Sequence, residues 1–163
     1  MKISFTTDEL NHTFWHERAV KESLLIQTNE KDKDRDFEND ILLQTKRGHG
    51  PEVYSIERLG HTDNEADYQD TFDVDSVPVD HKSSFSVEKL ERTLKKYEWD
   101  LENSWPDRRN NMPKRVYGWI NKWDRVLKRF SDYYELHGIY EYDKKIKKLV
   151  YISPKVWYNR YIN

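Results

Sequence analysis

Cysteine is absent from the sequence, which excludes disulfide bridges, thiolate-bound zinc and cysteine nucleophiles. Glycine occurs only five times, and the sequence has neither a glycine-rich phosphate loop nor a Gly-x-Ser-x-Gly nucleophile motif. No apolar run approaches the roughly 20 residues that a membrane-spanning helix needs, and the first residues carry no signal-peptide pattern. We therefore expect a cytoplasmic protein that does not contact a membrane.

The low hydrophobic content is accompanied by many aromatic side chains. Only 36% of the 163 residues are hydrophobic, 36% are charged and the mean hydropathy is −1.08, values that approach those of disordered chains. The chain nevertheless contains six Trp, eleven Tyr and six Phe, whose large apolar surfaces can form a core. We interpret residues 1–163 as a single folded α+β domain with solvated acidic loops at 29–37 and 61–80.

Charge is distributed unevenly along the chain. Residues 1–106 hold 14 Lys and Arg against 24 Asp and Glu, a net of −10, whereas residues 107–163 hold 14 against 6, a net of +8. A cationic surface raises the local concentration of polyanions. The basic and aromatic C-terminal part therefore indicates a binding face for nucleic acid or a nucleoprotein complex.

Helix and strand signals predict three main helices, a small antiparallel sheet and a C-terminal β-hairpin. A capping box from Thr6 to Glu9 predicts the first helix, at 7–27. Ser86 and an apolar repeat of three and four residues predict the second, at 86–104. Pro113 and Gly138 bracket the third, at 113–137. Paired apolar runs predict the small sheet in the region 40–58 and the hairpin at 139–152.

The third helix followed by a lysine-tipped hairpin resembles the last part of a winged-helix domain, over roughly residues 86–158. The resemblance concerns architecture alone, and the loop between the second and third helices is longer than that of a helix-turn-helix. It implies a nucleic-acid-binding function in which helix and hairpin contact phosphates. The candidate contact residues are Arg108, Arg109, Arg115, Lys122, Arg125, Arg129, Lys144, Lys145, Lys147 and Lys148, with Tyr140 and Tyr142 able to stack on bases or to pack in the core.

The acidic segment at 61–80 supports a second interpretation, a protein-binding inhibitor or adaptor of the small kind that mobile elements carry. Carboxylates tethered to a basic region can mask it, or can occupy a partner's nucleic-acid groove at phosphate-like positions. The candidate residues for protein binding are Asp63, Glu65, Asp67, Asp70, Asp73 and Asp75.

A metal-dependent phosphodiesterase is the third interpretation. His12 and His16 share a face of the first predicted helix, but Thr13 stands where a zinc protease has its Glu. Acidic and His residues between 61 and 81 could assemble a cation site, although none matches a calcium loop. A nuclease would also need a carboxylate-x-Lys pair on a strand after an upstream acid, and the stretch from Asp40 to Lys46 lacks the second carboxylate. The sequence therefore favours a binding protein without catalytic residues, metal or cofactor.

Overall fold

The computed structural model describes residues 3–10, 49–64, 70–126 and 128–152. The strands are β1 (Ser4–Thr6), β2 (Thr62–Asp63), β3 (Thr71–Phe72), β4 (Pro78–Ser84), β5 (Arg115–Asp124), β6 (Arg129–Asp143) and β7 (Lys148–Ile152). They form one seven-stranded mixed sheet in the order β1-β6-β5-β4-β3-β2, with β7 also paired to β6. The helices are α1, described over residues 49–58, α2 (Val87–Asn103) and α3 (Pro106–Asn111).

The centre of the sheet is the parallel pair β4 and β5, which is in register from Val79 opposite Arg115 to Ser84 opposite Ile120. Parallel neighbours require a crossover connection, and α2 followed by α3 supplies it. The side chain of Ser86 accepts a hydrogen bond from the backbone N–H of Lys89, 3.2 Å away, and so caps the start of α2. The predicted helix at 86–104 is confirmed.

The predicted fold class, three main helices with a small sheet, is wrong. Residues 113–137 form most of β5 and β6 instead of a helix. All five positions from Arg115 to Trp119 are buried, because helices cover both faces of this central strand. A strand buried on both faces carries apolar side chains at nearly every position, so a helical spacing can be found in it by coincidence.

Two smaller expectations are also corrected. Residues 53–56 belong to α1 and not to a strand, and Val53 of this helix and Leu59 just after it lie in the core. Thr6 ends a strand and makes no side-chain cap, and only the 3-10 turn Thr7–Glu9 follows it. The remainder of the predicted first helix, the loop at 29–37, and His12 and His16 lie outside the described residues.

The C-terminal hairpin is confirmed. β6 and β7 pair antiparallel from Ile139 opposite Ile152 to Asp143 opposite Lys148, which leaves the lysine-rich tip at 144–147. The hairpin extends the sheet and follows a strand, not a recognition helix, so the winged-helix resemblance does not describe this fold. No helix among the described residues is long and apolar enough to cross a membrane.

Two hydrophobic clusters occupy the two faces of the sheet. On one face, Phe5 and Tyr54 of α1 pack with Trp119, and Phe5 stacks on Tyr134 at a centroid distance of 5.2 Å. On the other face, α2 buries its apolar side against β5, β6 and β7, and we call this group of side chains the α2 cluster. The α2 side chains that are buried are Leu90, Leu94, Tyr97 and Leu101.

Gly118 and Gly138 pair across β5 and β6 beneath α2. A Cβ on Gly118 would lie 3.0 Å from Leu90 and 3.1 Å from Tyr140, both of which pack in the α2 cluster. A Cβ on Gly138 would lie 2.5 Å from the ring of Tyr151, but that ring is 53% exposed. The first glycine therefore sets how closely α2 approaches the sheet.

We expect Gly118→Ala to lower the free energy of unfolding by about 1–3 kcal/mol, because α2 has to move away from the sheet. Gly138→Ala should cost less, since the exposed Tyr151 ring can turn aside. Urea denaturation of both variants measures the difference. Equal effects, or a larger effect at Gly138, would contradict this account of helix packing.

A buried hydrogen-bonded chain joins β3, β4 and β5 on the face opposite α2. The indole of Trp119 can only donate, so the His81 Nδ1 atom, 3.1 Å away, accepts. Neutral His81 therefore carries its proton on Nε2 and donates to the Thr71 hydroxyl at 3.1 Å, and that hydroxyl is also hydrogen-bonded to Nδ1 of His61 at 2.8 Å. This network favours neutral His81 and fixes β3 against β4.

Burial lowers the pKa of His61 to about 4 and that of His81 to about 3. The carboxylate of Asp70 opposes the shift of His81, and the neighbouring His61 adds to it. In the unfolded chain both groups titrate near 6.5, so the unfolded state binds more protons below that pH.

We therefore expect the free energy of unfolding to decrease as pH falls from about 7 towards 4. Replacing both histidines, as His61→Gln and His81→Gln, should flatten this dependence. His137→Gln, which alters a histidine outside this hydrogen-bonded network, should leave the pH dependence of the free energy of unfolding as in the wild type. Urea titrations at several pH values provide the measurement, and an unchanged slope in the double variant would refute the assignment.

Candidate active site

A cavity of about 350 Å³ opens between α2, α3 and the β3–β4 strands. It is polar and lined by charges of both signs. The lining residues are Asp70, Asp80, Lys82, Thr93, Lys96, Tyr97, Asp100, Arg108 and Met112.

Two carboxyl groups meet at the floor of this cavity. β3 and β4 pair antiparallel with Thr71 opposite Val79, and the backbone N–H of Asp70, just before β3, donates to the carbonyl of Val79 at 3.0 Å, so Asp70 lies beside Asp80. The backbone N–H of His81 donates to Asp70 Oδ2 at 2.8 Å and holds that side chain in place. The side chains of Asp70 and Asp80 both line the cavity, and the negative charge of Asp70 acts on Asp80.

Lys82 lies two residues after Asp80, on the same face of β4. Side chains alternate along a strand, so Asp80 and Lys82 face α2 while Val79 and His81 face the opposite cluster. The Lys82 Nζ atom is 3.4 Å from Asp80 Oδ2 and 5.6 Å from the centre of the Tyr97 ring. An ammonium group therefore stands beside the carboxyl pair.

Burial and the neighbouring Asp70 raise the pKa of Asp80 to about 8, and Lys82 opposes the rise. Two adjacent carboxylates in a confined space cannot both be ionised at low cost without a cation. At neutral pH the pair consequently retains a proton that a stronger positive charge could displace.

α2 and α3 complete the walls of the cavity. The Tyr97 hydroxyl donates to the carbonyl of Pro113 at 2.7 Å, which ties α2 to the start of β5, and burial raises its pKa. Arg108 of α3 lies 3.8 Å from Asp100 of α2, and its side chain is half exposed at the mouth. Lys96 also lines the cavity. Its walls therefore offer cations to an anionic ligand, and its floor offers carboxylates to a metal ion.

The donor set at the floor suits a hard divalent cation. Mg²⁺ is usually bound through one or two carboxylates together with waters and substrate phosphates. Among the residues described, no group of three or more His, Asp or Glu side chains is placed to hold a metal ion. A cation here would thus take Asp70 and Asp80 as its protein ligands and complete its shell with water and phosphate.

Arg115, one of the predicted nucleic-acid contacts, is buried with a relative exposure of 7%. Its guanidinium donates to Asp73, to Asp75 at 3.4 Å and to Glu141 at 3.3 Å. Asp73 also accepts two backbone N–H bonds from the turn before β4. Three carboxylates therefore hold Arg115 inside the protein, away from any external phosphate.

The other predicted basic residues lie at the two ends of β5 and not on one helix face. At its start, burial and the charges of Lys144 and Arg109 lower the pKa of Lys114, while Glu102 opposes the shift, so these three cations act on one another. The exposed tip lysines Lys144, Lys145, Lys147 and Lys148 lie in and beside the same hairpin turn. We call Arg109, Lys114 and Lys144 the basic cluster.

Lys122 and Arg125 lie at the other end of β5, about 30 Å along the strand from the basic cluster. Both are exposed. The side chain of Arg129 lies outside what the structure describes. Tyr140 and Tyr142 pack against the α2 cluster, so they serve the core.

Residues proposed for protein binding are distributed among different environments. Asp70 lies in the cavity, while Asp73 and Asp75 contact Arg115. Asp63 is exposed at the end of β2. Glu65 and Asp67 lie outside the described residues. The acidic segment is therefore not one continuous docking surface.

Lys82 is the site residue that the sequence interpretation missed. The pattern required of a nuclease, an acid followed by carboxylate-x-Lys on a strand, occurs as Asp70 and then Asp80-His81-Lys82. The composition of residues 61–80 predicts a solvated acidic loop, and this prediction conceals the strand on which the pattern lies. The signal in the sequence that could have identified this strand is the two-residue alternation of Val79 and His81 with Asp80 and Lys82.

Comparison with known proteins provides no relative. No protein-family model, curated protein sequence or solved structure matches this chain. Its function is consequently inferred from the cavity and from the charges around it.

Proposed function

We propose that the protein binds nucleic acid and hydrolyses a phosphodiester bond in it, with a divalent cation held by Asp70 and Asp80. One observation carries this proposal: paired strands present two adjacent carboxyls and, two residues further on, an ammonium group, all on the floor of one cavity. Such a combination can bind a metal ion and a phosphate side by side.

The reaction assigns a separate role to each side chain. Water attacks the phosphorus, the bond to one sugar oxygen breaks, and the products are a phosphomonoester and an alcohol; water gives up a proton and the leaving oxygen gains one. A bound divalent cation would polarise the phosphate and lower the pKa of water. Asp70 and Asp80 hold that cation, and the backbone bond from His81 orients Asp70. Lys82 stabilises the negative charge that develops on the phosphate oxygens.

Cations beyond the cavity floor support a polyanionic substrate. Lys96 and Arg108 line the cavity, and Arg109 follows Arg108 on α3. The basic cluster and the tip lysines add further cations at the start of β5 and at the hairpin turn. Phosphate contacts of this kind position a nucleic acid without reading its sequence.

This proposal retains the nucleic-acid partner expected from the sequence and adds catalysis and a metal ion to it. A binding protein without catalysis would use the same basic cluster but has no need of a buried carboxyl group, Asp80, whose pKa is raised beside a second carboxylate in a cavity. The inhibitor or adaptor interpretation is less supported, because Asp73 and Asp75 already contact Arg115.

Asp80→Asn and Lys82→Ala should each reduce cleavage by about 100-fold or more, because one removes a metal ligand and the other the charge beside the phosphate. The assay follows degradation of labelled single- and double-stranded DNA and RNA with Mg²⁺ or Mn²⁺. A chelator should abolish it. Asp107→Asn, an exposed acid on α3 outside the cavity, is the matched control. Cleavage that survives in both site variants, or a wild type that cleaves none of these substrates, would refute the proposal.

Metal binding should be linked to protons at Asp80. Its folded pKa of about 8 exceeds the value of 3.8 for an unperturbed group, so this residue's contribution to stability is complete below about pH 4 and is lost as pH rises through 8. Mg²⁺ should replace the proton on Asp80 and raise the melting temperature of the protein more at pH 8 than at pH 6.

Differential scanning calorimetry with and without MgCl₂ tests this linkage independently of activity. The Asp80→Asn protein should lose both the Mg²⁺ effect and the fall in stability towards pH 8. If Mg²⁺ stabilises the variant as much as the wild type, the cation binds elsewhere.

A further inference from the structure

Phe85 and Trp123 are exposed aromatic side chains that lie outside the cavity. Their relative exposures are 40% and 50%. Together with Lys122 and Arg125 they line an open groove of about 600 Å³, which we call the aromatic groove.

The topology brings these residues together. β4 and β5 are parallel, with Ser84 opposite Ile120, so their C-terminal ends meet at one edge of the sheet. Phe85 directly follows β4, and Trp123 lies near the end of β5. Ligands commonly bind beyond the C-terminal ends of parallel strands, where the chain turns away from the sheet.

Cations lie around the groove. The Nζ atom of Lys89 lies 3.7 Å from the centre of the Phe85 ring, and Arg125 is exposed in the turn after β5. Lys122 lies 5.2 Å from the Tyr133 ring and at 4.0 Å from Glu135. The groove therefore combines flat apolar surfaces with a rim that is mainly positive.

We propose that the aromatic groove binds an unpaired segment of nucleic acid. Every base has a flat π-face that can stack on Trp123 or Phe85, while Lys122, Arg125 and Lys89 contact the phosphates. Bases in a duplex are already stacked on one another, so such a surface selects single strands, loops or frayed ends. A cationic rim is complementary to a polyanion.

The groove also lies close to the candidate catalytic residues. Phe85 follows Lys82 by three residues, which corresponds to about 10 Å along the strand direction. Lys82 lies on the α2 side of the sheet, as its contact with Tyr97 shows, and Phe85 lies beside Lys89 of α2. An unpaired strand stacked in the groove would thus lead towards the cavity, and this step rests on the proposed function: the substrate of cleavage is single-stranded or locally unpaired.

Binding is tested first, without cleavage, in the Asp80→Asn protein with a chelator present. Fluorescence anisotropy with labelled oligothymidylate and with a blunt duplex of the same length measures both affinities over a salt series. We expect tighter binding of the single strand, and a loss of about tenfold in its affinity for Trp123→Ala. Trp99→Ala, which removes a 62% exposed Trp from the solvent side of α2, should bind as the parent does.

Arg125→Gln keeps the experiment decisive if Trp123→Ala fails to fold. It should weaken oligothymidylate binding and reduce its salt dependence, whereas Arg92→Gln, which removes a cation paired with Glu88 on α2, should not. Equal affinity for single strand and duplex, or unchanged binding by the folded Trp123 and Arg125 variants, would overturn the inference.

The two proposals fail in different ways. Bis(p-nitrophenyl) phosphate is a small phosphodiester that occupies only the cavity, so its hydrolysis by the wild type reports on the catalytic residues. Trp123→Ala should retain that hydrolysis and lose cleavage of single-stranded oligonucleotides. If Trp123→Ala keeps both the hydrolysis of bis(p-nitrophenyl) phosphate and the cleavage of single-stranded oligonucleotides, the groove proposal alone is refuted. If the wild type shows neither activity, the catalytic proposal is refuted, and the binding assay then tests the groove on its own.

Discussion

The parallel pairing of β4 and β5 is the constraint on which the rest of the structure depends. It requires α2 to cross one face of the sheet, and that crossing creates the wall opposite Asp80 and Lys82. It also aligns the ends of the two strands, which places Phe85 beside the end of β5. Because Gly118 has no side chain, α2 can lie close enough to the sheet for Tyr97 to reach the backbone at Pro113. The cavity and the aromatic groove are two results of one connection.

The sequence patterns predicted only those helices and strands whose structure depends on residues close together in the sequence. α2 has a cap and one buried side, and the β6–β7 hairpin has two apolar runs around a charged turn, so both were predicted with nearly correct bounds. The β5–β6 hairpin was not, because Arg115–Trp119 of β5 are buried on both faces, which removes the alternation that identifies a strand. Pairing of Asp70 with Asp80 depends on the register of β3 and β4, which single-sequence patterns do not specify.

The same argument explains which site residues could be predicted. Net charge identified the basic C-terminal part, and the structure does place Arg109, Lys114 and Lys144 close together. Charge alone could not distinguish these from Arg115, whose three acidic partners come from the turn before β4 and from β6. Lys82 was overlooked because one lysine after an acidic stretch changes the segmental charge little. Its importance comes from position: it shares a strand face with Asp80.

The burial of Arg115 has a consequence for how a polyanion approaches. One guanidinium among Asp73, Asp75 and Glu141 forms a group whose formal charge is negative, and Arg115 points away from α2, whereas its neighbour Lys114 contacts Tyr142 in the α2 cluster. The sheet is thus electrically polarised through its thickness at this end of β5. On the proposed function, a nucleic acid would be repelled from one side and attracted to the other, so it would be oriented before any contact forms.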